Sequence, residues 1–512
     1  MDLTSAYDEL ISTTREIGLL NSVESVLGWD ERVMMPDKGA EHRANQMSLL
    51  ARLTHQQLTS PRIGELLAQV EGTELVRDPE SDASVNVREI RRAYDRATKV
   101  PTRLVEELTK TGVLGQQAWV DARKRSDFPT FRPWLEKMVD LKREEATCVG
   151  FKTHPYDALL DDYEPGDTTA DVTRVFESLR APLIDLVGRI AQSGKTAPVE
   201  LFERNYPADA QQRFARDAAE TVGFDFTAGR LDVSVHPFCT QLGPGDVRMT
   251  TRYNEGRFGA FFGVLHETGH GLYSQGLDPA HFGTPRGQYI SLGIHESQSR
   301  LYENFIGRSR SFWHFFYPRA KQAFPLALHD VSVDQWLFAN NDVRPGFIRV
   351  EADEATYNLH ILLRFELEQA LVSADLSPKD VPGAWNERMR HYLGLTPPDD
   401  ARGCLQDIHW SSGGIGYFPT YTLGNLYAAQ FFEQARKDLG DLDEQFARGQ
   451  FAPLLRWLNE SIHRHGRRYT ARQLVKRVTG RELSAEPLLN HLRRKASEFY
   501  GITPSPSGRG PG

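Results

Sequence analysis

Phe258-Gly-Ala-Phe-Phe-Gly-Val-Leu-His266-Glu-Thr-Gly-His270-Gly-Leu-Tyr273 is the stretch on which the reading of this chain turns. Phe258, Phe261, Phe262 and Leu265 recur at i, i+3, i+4 and i+7, the apolar stripe of a helix packed on one face, and Gly276 is placed to end it. Residues four apart on a helix project from one face a turn apart, so both imidazoles can reach a single metal ion. Glu267, one residue on, can then reach a water bound to that ion. Catalytic zinc takes a third protein ligand and leaves one position open for water. After a loop carrying Gly283, Pro285, Gly287 and Gly293, the run His295-Glu296-Ser297-Gln298 opens another amphipathic segment with Leu301, Tyr302, Phe305 and Ile306. Glu296 is the expected third ligand. His295, His281 and Glu303 are its rivals, with His295 better suited to a structural place.

Outward from this segment the chain reads as helix, with three- and four-residue apolar spacing broken at Pro and Gly. Ser84 to Thr98, the start at Thr102 after Pro101, and Ala355 to Val372 are examples, the last apolar nearly all round and so expected at the centre. One region differs. Val233 and Val235, then Val247, Met249, Thr251 and Tyr253, alternate with charged residues around the turn Gln241-Leu-Gly-Pro-Gly245, which predicts a small antiparallel sheet at about 232–253 bordering a cleft. With no internal repeat or linker, residues 1–502 read as one all-α domain with two lobes. Residues 503–512, rich in Pro, Ser and Gly, read as a disordered tail.

The chain has 512 residues, 40% hydrophobic and 25% charged, enough for a large core and ordinary for a globular protein. Lys and Arg number 61 against 69 Asp and Glu, so 61 − 69 = −8, which argues against attraction to nucleic acid or an anionic membrane. The basic run from Arg464 to Arg481 therefore reads as a solvated helix face. Cys148, Cys239 and Cys404 are too few and scattered for a disulfide framework, and no apolar run or leader is visible, so a cytoplasmic protein is expected.

Six ordered segments then make a family resemblance specific. His236-Pro-Phe238, Asp246-Val-Arg248-Met-Thr250, His266-Glu-Thr-Gly-His270, His295-Glu-Ser297, Ile348-Arg-Val-Glu-Ala-Asp353 and Gly403-Cys-Leu-Gln-Asp-Ile-His-Trp410 resemble the motif series of the carboxypeptidase Taq family of metallocarboxypeptidases. Trp29-Asp-Glu-Arg-Val-Met-Met-Pro36 and Gly416-Tyr-Phe-Pro-Thr-Tyr421 are similar to that family as well. The resemblance implies a two-lobed helical fold with a deep cleft, related to angiotensin-converting enzyme and the oligopeptidases. It also implies a homodimer, zinc or sometimes cobalt on His266, His270 and Glu296, Glu267 as the catalytic carboxylate, and removal of single residues from peptide C-termini.

Peptide hydrolysis also needs donors for the oxyanion, and the stretch 406–421, read as a loop, offers His409, Tyr417 and Tyr421. The resemblance favours His409 and Tyr421. Recognition of a free C-terminal carboxylate calls for a guanidinium, with Arg349 and Arg248 as candidates. Arg349 stands beside Glu351, Asp353 and Glu354, which could instead claim it in an ion pair, and Arg248 has Asp246 close by. His236 is a further candidate substrate contact. A metal-dependent endo-oligopeptidase and a catalytically silent peptide-binding protein are the competing readings.

Overall fold

Helix follows the predicted periodicity through most of the structure, a computed structural model that describes residues 3–503. The chain divides into two compact units. One comprises Met1–Lys99, Glu200–Leu337 and Phe431–Arg481, the other Val100–Val199, Phe338–Gln430 and Glu482–Gly512.

In the first unit α1 (Leu3–Val33) lays Ala6, Leu10 and Ile17 against Ile63, Leu66, Leu67, Val70, Val87 and Ile90. The predicted helix at Ser84 to Thr98 is found at Asp82–Lys99. The motif segment forms α2 (Ala260–Gly276), ended at the predicted glycine. Its start is anchored by aromatic rings: Phe258 lies 5.0 Å from Trp336 and 5.5 Å from Phe261, and Phe261 lies 5.1 Å from Phe214 and 5.4 Å from Trp313, centroid to centroid. Such contacts bury large areas and fix the direction in which the helix leaves the cluster. The next predicted segment forms α3 (Leu292–Arg300), which passes into one π-helical turn at Leu301–Ile306.

The sheet lies where the alternation placed it, but it is mixed rather than antiparallel. β2 (Cys239–Gly243) and β3 (Asp246–Thr251) make the expected hairpin, while β1 (Gly229–Val233) pairs with the far side of β3 in parallel. The reason is the link 234–238, which straps over the end of β3. Ser234 N donates to Thr251 O at 2.9 Å, Thr250 N to Phe238 O at 2.8 Å, and Thr250 Oγ1 accepts from Phe238 N at 3.0 Å. Alternation marks strands; this strap, which sets the pairing order, leaves no periodic signal.

The basic run is corrected in part. Arg464, Lys476, Arg477 and Arg481 are exposed as predicted, but Arg467 donates to Tyr289 O at 3.1 Å and Arg468 to Asp82 at 2.5 Å, tying the segment 463–468 to the rest of its unit.

In the second unit Thr102–Arg125 follows Pro101 as predicted, and α4 (Thr356–Val372) is buried nearly all round. The carboxylate of Asp353 accepts from the backbone N–H of Ala355 and Thr356, each at 2.9 Å, and so starts α4. α5 (Pro419–Leu439) begins inside the stretch read as a loop, so Tyr421 stands on its first turn. A proline at the first helical position needs no hydrogen bond there, which makes Pro419 a start rather than a break. Of the predicted tail at 503–512, all but Thr503 lies outside the described residues.

Candidate metal centre and active site

α2 and α3 meet backbone to backbone. A Cβ built on Gly269 would lie 2.3 Å from Gln298 O and 2.6 Å from Ser299 Cα, so only glycine admits this approach. The contact sets Glu296 opposite the two histidines. Glu296 Oε2 lies 3.6 Å from His266 Nε2 and 3.5 Å from His270 Nε2.

The far nitrogens define the tautomers. His266 Nδ1 faces Glu303 Oε2 at 2.9 Å, and His270 Nδ1 faces the carbonyl of His295 at 3.1 Å. A carboxylate and a carbonyl only accept, so in the neutral rings both Nδ1 atoms carry the proton and both Nε2 atoms present lone pairs. Three acceptors, two imidazole nitrogens and a carboxylate oxygen, thus converge, with the carboxylate oxygen too far from either nitrogen for a good hydrogen bond. Ligand bonds of 2.0–2.2 Å in a tetrahedron put ligand atoms about 3.3–3.6 Å apart. The donor set fits a divalent cation of that kind, and it is the one such cluster among the described residues.

Electrostatics agree. Burial pushes the Glu296 carboxyl up, but Arg300 and the two imidazoles outweigh it and hold the group well below the usual carboxylate range. Burial lowers His266, yet Glu296 and Glu303 raise it on balance, so this pocket draws positive charge. Glu267 is 7% exposed; burial raises its carboxyl and the two histidines only partly offset this. A raised carboxyl is a stronger base once ionised. The Cys239 thiol on β2 is pushed up by burial and by Glu267, so the sheet edge borders this carboxylate.

The rivals for the third ligand have other places. Glu303 sits on the outer nitrogen of His266, and Arg308 reaches it at 3.5 Å. His295 is wedged between Tyr273 and Tyr289, its Nδ1 2.6 Å from His270 Nδ1, and burial holds it neutral. His281 faces Asp82 at 3.5 Å. His236 is exposed on the strap between β1 and β2. Arg248 forms two hydrogen bonds of 2.8 Å with Asp246 and lies 4.3 Å over the ring of Trp29.

The second unit gathers the other candidates. Arg349 is 5% exposed, and its partner is none of the three nearby acids but Asp407, which accepts from Nε at 3.0 Å and from a terminal nitrogen at 2.8 Å. The other Asp407 oxygen accepts from Arg364 Nε at 2.7 Å, and Arg349 also donates to Tyr357 Oη at 2.9 Å. Gln406 accepts from Arg349 N and donates to Phe347 O, clamping the two motifs together. The guanidinium lies 5.1 Å over Tyr421, whose hydroxyl is 3.4 Å from His409 Nε2, and Tyr417 packs 5.3 Å from both rings. Burial pushes His409 down to about 4, with Arg349 and Arg364 outdoing part of the pull of Asp407, so it is neutral at neutral pH.

Gly269, Arg300 and Asp407 were not singled out as functional partners by the sequence, and Glu303 was considered only as a metal ligand. Arg300 is detectable in principle, since it stands four residues after Glu296 and donates to it at 2.7 Å.

The sequence profile of the carboxypeptidase Taq (M32) metallopeptidases matches residues 9–496. Thermostable carboxypeptidase 1 of Thermus thermophilus is 50% identical over 97% of this chain and 99% of its own length. Carboxypeptidase 1 of Bacillus subtilis is 38% identical over 98% and 100%. The crystal structure of the M32 carboxypeptidase from Deinococcus radiodurans superimposes with a TM-score of 0.94 at 38% identity, covering 97% of this chain and all of that one.

Proposed function

The chain belongs to the carboxypeptidase Taq (M32) family and is a metallocarboxypeptidase, a peptide hydrolase; on that premise we propose that His266, His270 and Glu296 hold the metal. The observation that carries this is the convergence of two imidazole nitrogens and a carboxylate oxygen, with Glu296 Oε2 3.6 Å from His266 Nε2 and 3.5 Å from His270 Nε2. Two imidazoles and a carboxylate suit zinc, with cobalt as its nearest substitute. Bound there, the ion supplies an activated water and polarises the scissile carbonyl.

The rest is the work of the chain. Glu267 accepts the proton of the attacking water on its carboxylate and passes it to the leaving amide nitrogen. His409, neutral and able to donate from Nε2, and the Tyr421 hydroxyl stabilise the oxyanion, with Tyr417 packing both rings in place. Arg349 takes the terminal carboxylate of the substrate. Arg349 and Arg364 share the single carboxylate of Asp407, leaving one positive charge in that trio, whereas Arg248 is matched one to one by Asp246. His236 adds a polar contact to the substrate.

We read residues 1–502 as one domain because the family match runs through both units. The substrates are peptides with a free C-terminus, and the enzyme works as a cytoplasmic homodimer without nucleic-acid or membrane partners. The three cysteines are free and no helix among the described residues is long and apolar enough to cross a membrane. Mass spectrometry of one digested peptide tests the reading. The free acid should give a ladder losing single C-terminal residues and its amide almost none; efficient internal cleavage of the amide would point to an endo-oligopeptidase.

A further inference from the structure

Arg300 stands on the last turn of α3, its side chain 13% exposed, four residues after Glu296. Its Nε donates to Glu296 Oε1 at 2.7 Å, the oxygen that does not face the histidines. The Ser299 hydroxyl lies 3.1 Å from the other oxygen, Oε2. The same guanidinium donates from a terminal nitrogen to Glu303 Oε2 at 3.3 Å, and that oxygen is the one bonded to His266 Nδ1. The π-helical turn that begins at Leu301 widens the helix by one residue per turn and so lets Glu303 reach His266. One fork therefore grips two of the three ligands, Glu296 directly and His266 through Glu303.

We propose that Arg300 is the positioning residue of the metal centre: it occupies Glu296 Oε1 so that only Oε2 points to the ion, and it fixes the ring plane of His266 by way of Glu303. This rests on the ligand assignment above, and it makes a prediction opposite in sign to simple electrostatics. Deleting a positive charge beside a dication should tighten binding by Coulomb's law alone. Deleting a positioning group should weaken it, by the 10- to 100-fold typical of groups that orient metal ligands.

The test is the zinc dissociation constant, measured by competition with a chelator, for the wild type, Arg300→Met and Arg300→Lys. The lysine variant keeps the charge but loses the planar fork, and it serves as the measurement if the methionine variant does not fold. Both are expected to bind zinc 10- to 100-fold more weakly. The cobalt-loaded variants should show weaker visible d–d bands, because a freed Oε1 lets Glu296 bind through both oxygens and raises the coordination number. Unchanged or tighter zinc binding with unchanged cobalt bands would overturn the role of Arg300. A wild type that binds no zinc at all would instead overturn the ligand assignment, so the two failures are distinct.

Discussion

Replacing Gly269 by alanine probes how the site is assembled without touching any group that does chemistry. The added Cβ would sit 2.3 Å from Gln298 O, while ordinary contact begins near 3.4 Å, so the two backbones must part by 3.4 − 2.3 = 1.1 Å. Both neighbours are backbone, and neither can swing aside. Glu296 rides on α3, so a shift of that size moves its Oε2 by about 1 Å against the 3.5 and 3.6 Å spacings to the histidines. Metal sites tolerate about 0.2 Å in ligand distance, and a 1 Å misplacement costs about 100-fold in rate. Overpacking costs roughly 1–3 kcal/mol, but alanine regains about 1 kcal/mol of helix propensity, so the metal-free variant should lose only about 0–2 kcal/mol of stability. Zinc affinity and kcat/KM on a free-acid peptide should therefore fall about 100-fold or more in a protein that still folds. Urea unfolding of the metal-free forms, chelator competition and peptide assays read the three quantities. Wild-type zinc affinity in Gly269→Ala would refute the argument that this glycine sets the ligand geometry.

Glu267→Gln should keep about one zinc per chain yet lose about 10²- to 10⁴-fold in kcat, since an amide cannot accept the water's proton; a loss of less than tenfold would exclude Glu267 as the base. Arg349→Ala should cost free-acid peptides about 30- to 1000-fold in kcat/KM, roughly 2–4 kcal/mol, and amidated peptides little. Equal losses on both would transfer the carboxylate to Arg248 or to no arginine. His463 is fully buried, and burial pushes its imidazole down to about 3, so below pH 6.5 the unfolded chain takes up a proton that the folded one refuses. The stability this group lends is present above pH 6.5 and drains away as pH falls towards 3, at about 1.4 kcal/mol per pH unit. Urea titrations between about pH 6 and pH 4.5 should show a slope shallower by about that amount in His463→Gln, and identical slopes would contradict the shift.

What could be read in advance follows a physical division. The helix of His266 and His270 was legible because its apolar stripe and its ligand spacing share one period, whereas on the next amphipathic segment Glu296 had rivals that only the family resemblance set aside. The hairpin at β2 and β3 was legible from alternation and its turn. Non-local pairings were not. β1 joins the sheet in parallel through a strap that leaves no periodic trace, and Asp407 claims Arg349 from 58 residues away although three acids stand within five. Gly269 carries no periodic or charge signal of its own, and only the approach of α3 makes it obligatory. Glu303 had the right chemistry for a ligand, but a π-helical turn aims it at the outer nitrogen of His266 instead. Tyr421 was placed on a loop because the glycines before it hid the helix start at Pro419.

The central claim is that turnover depends on one divalent metal held by His266, His270 and Glu296. Elemental analysis and C-terminal trimming should be followed on one preparation as metal is stripped by a chelator and then restored in steps. Trimming should disappear with the metal and return in proportion to zinc, reaching a plateau at about one equivalent per chain, while Glu296→Ala shows neither binding nor recovery. Full trimming by protein carrying less than about a tenth of an equivalent would contradict it.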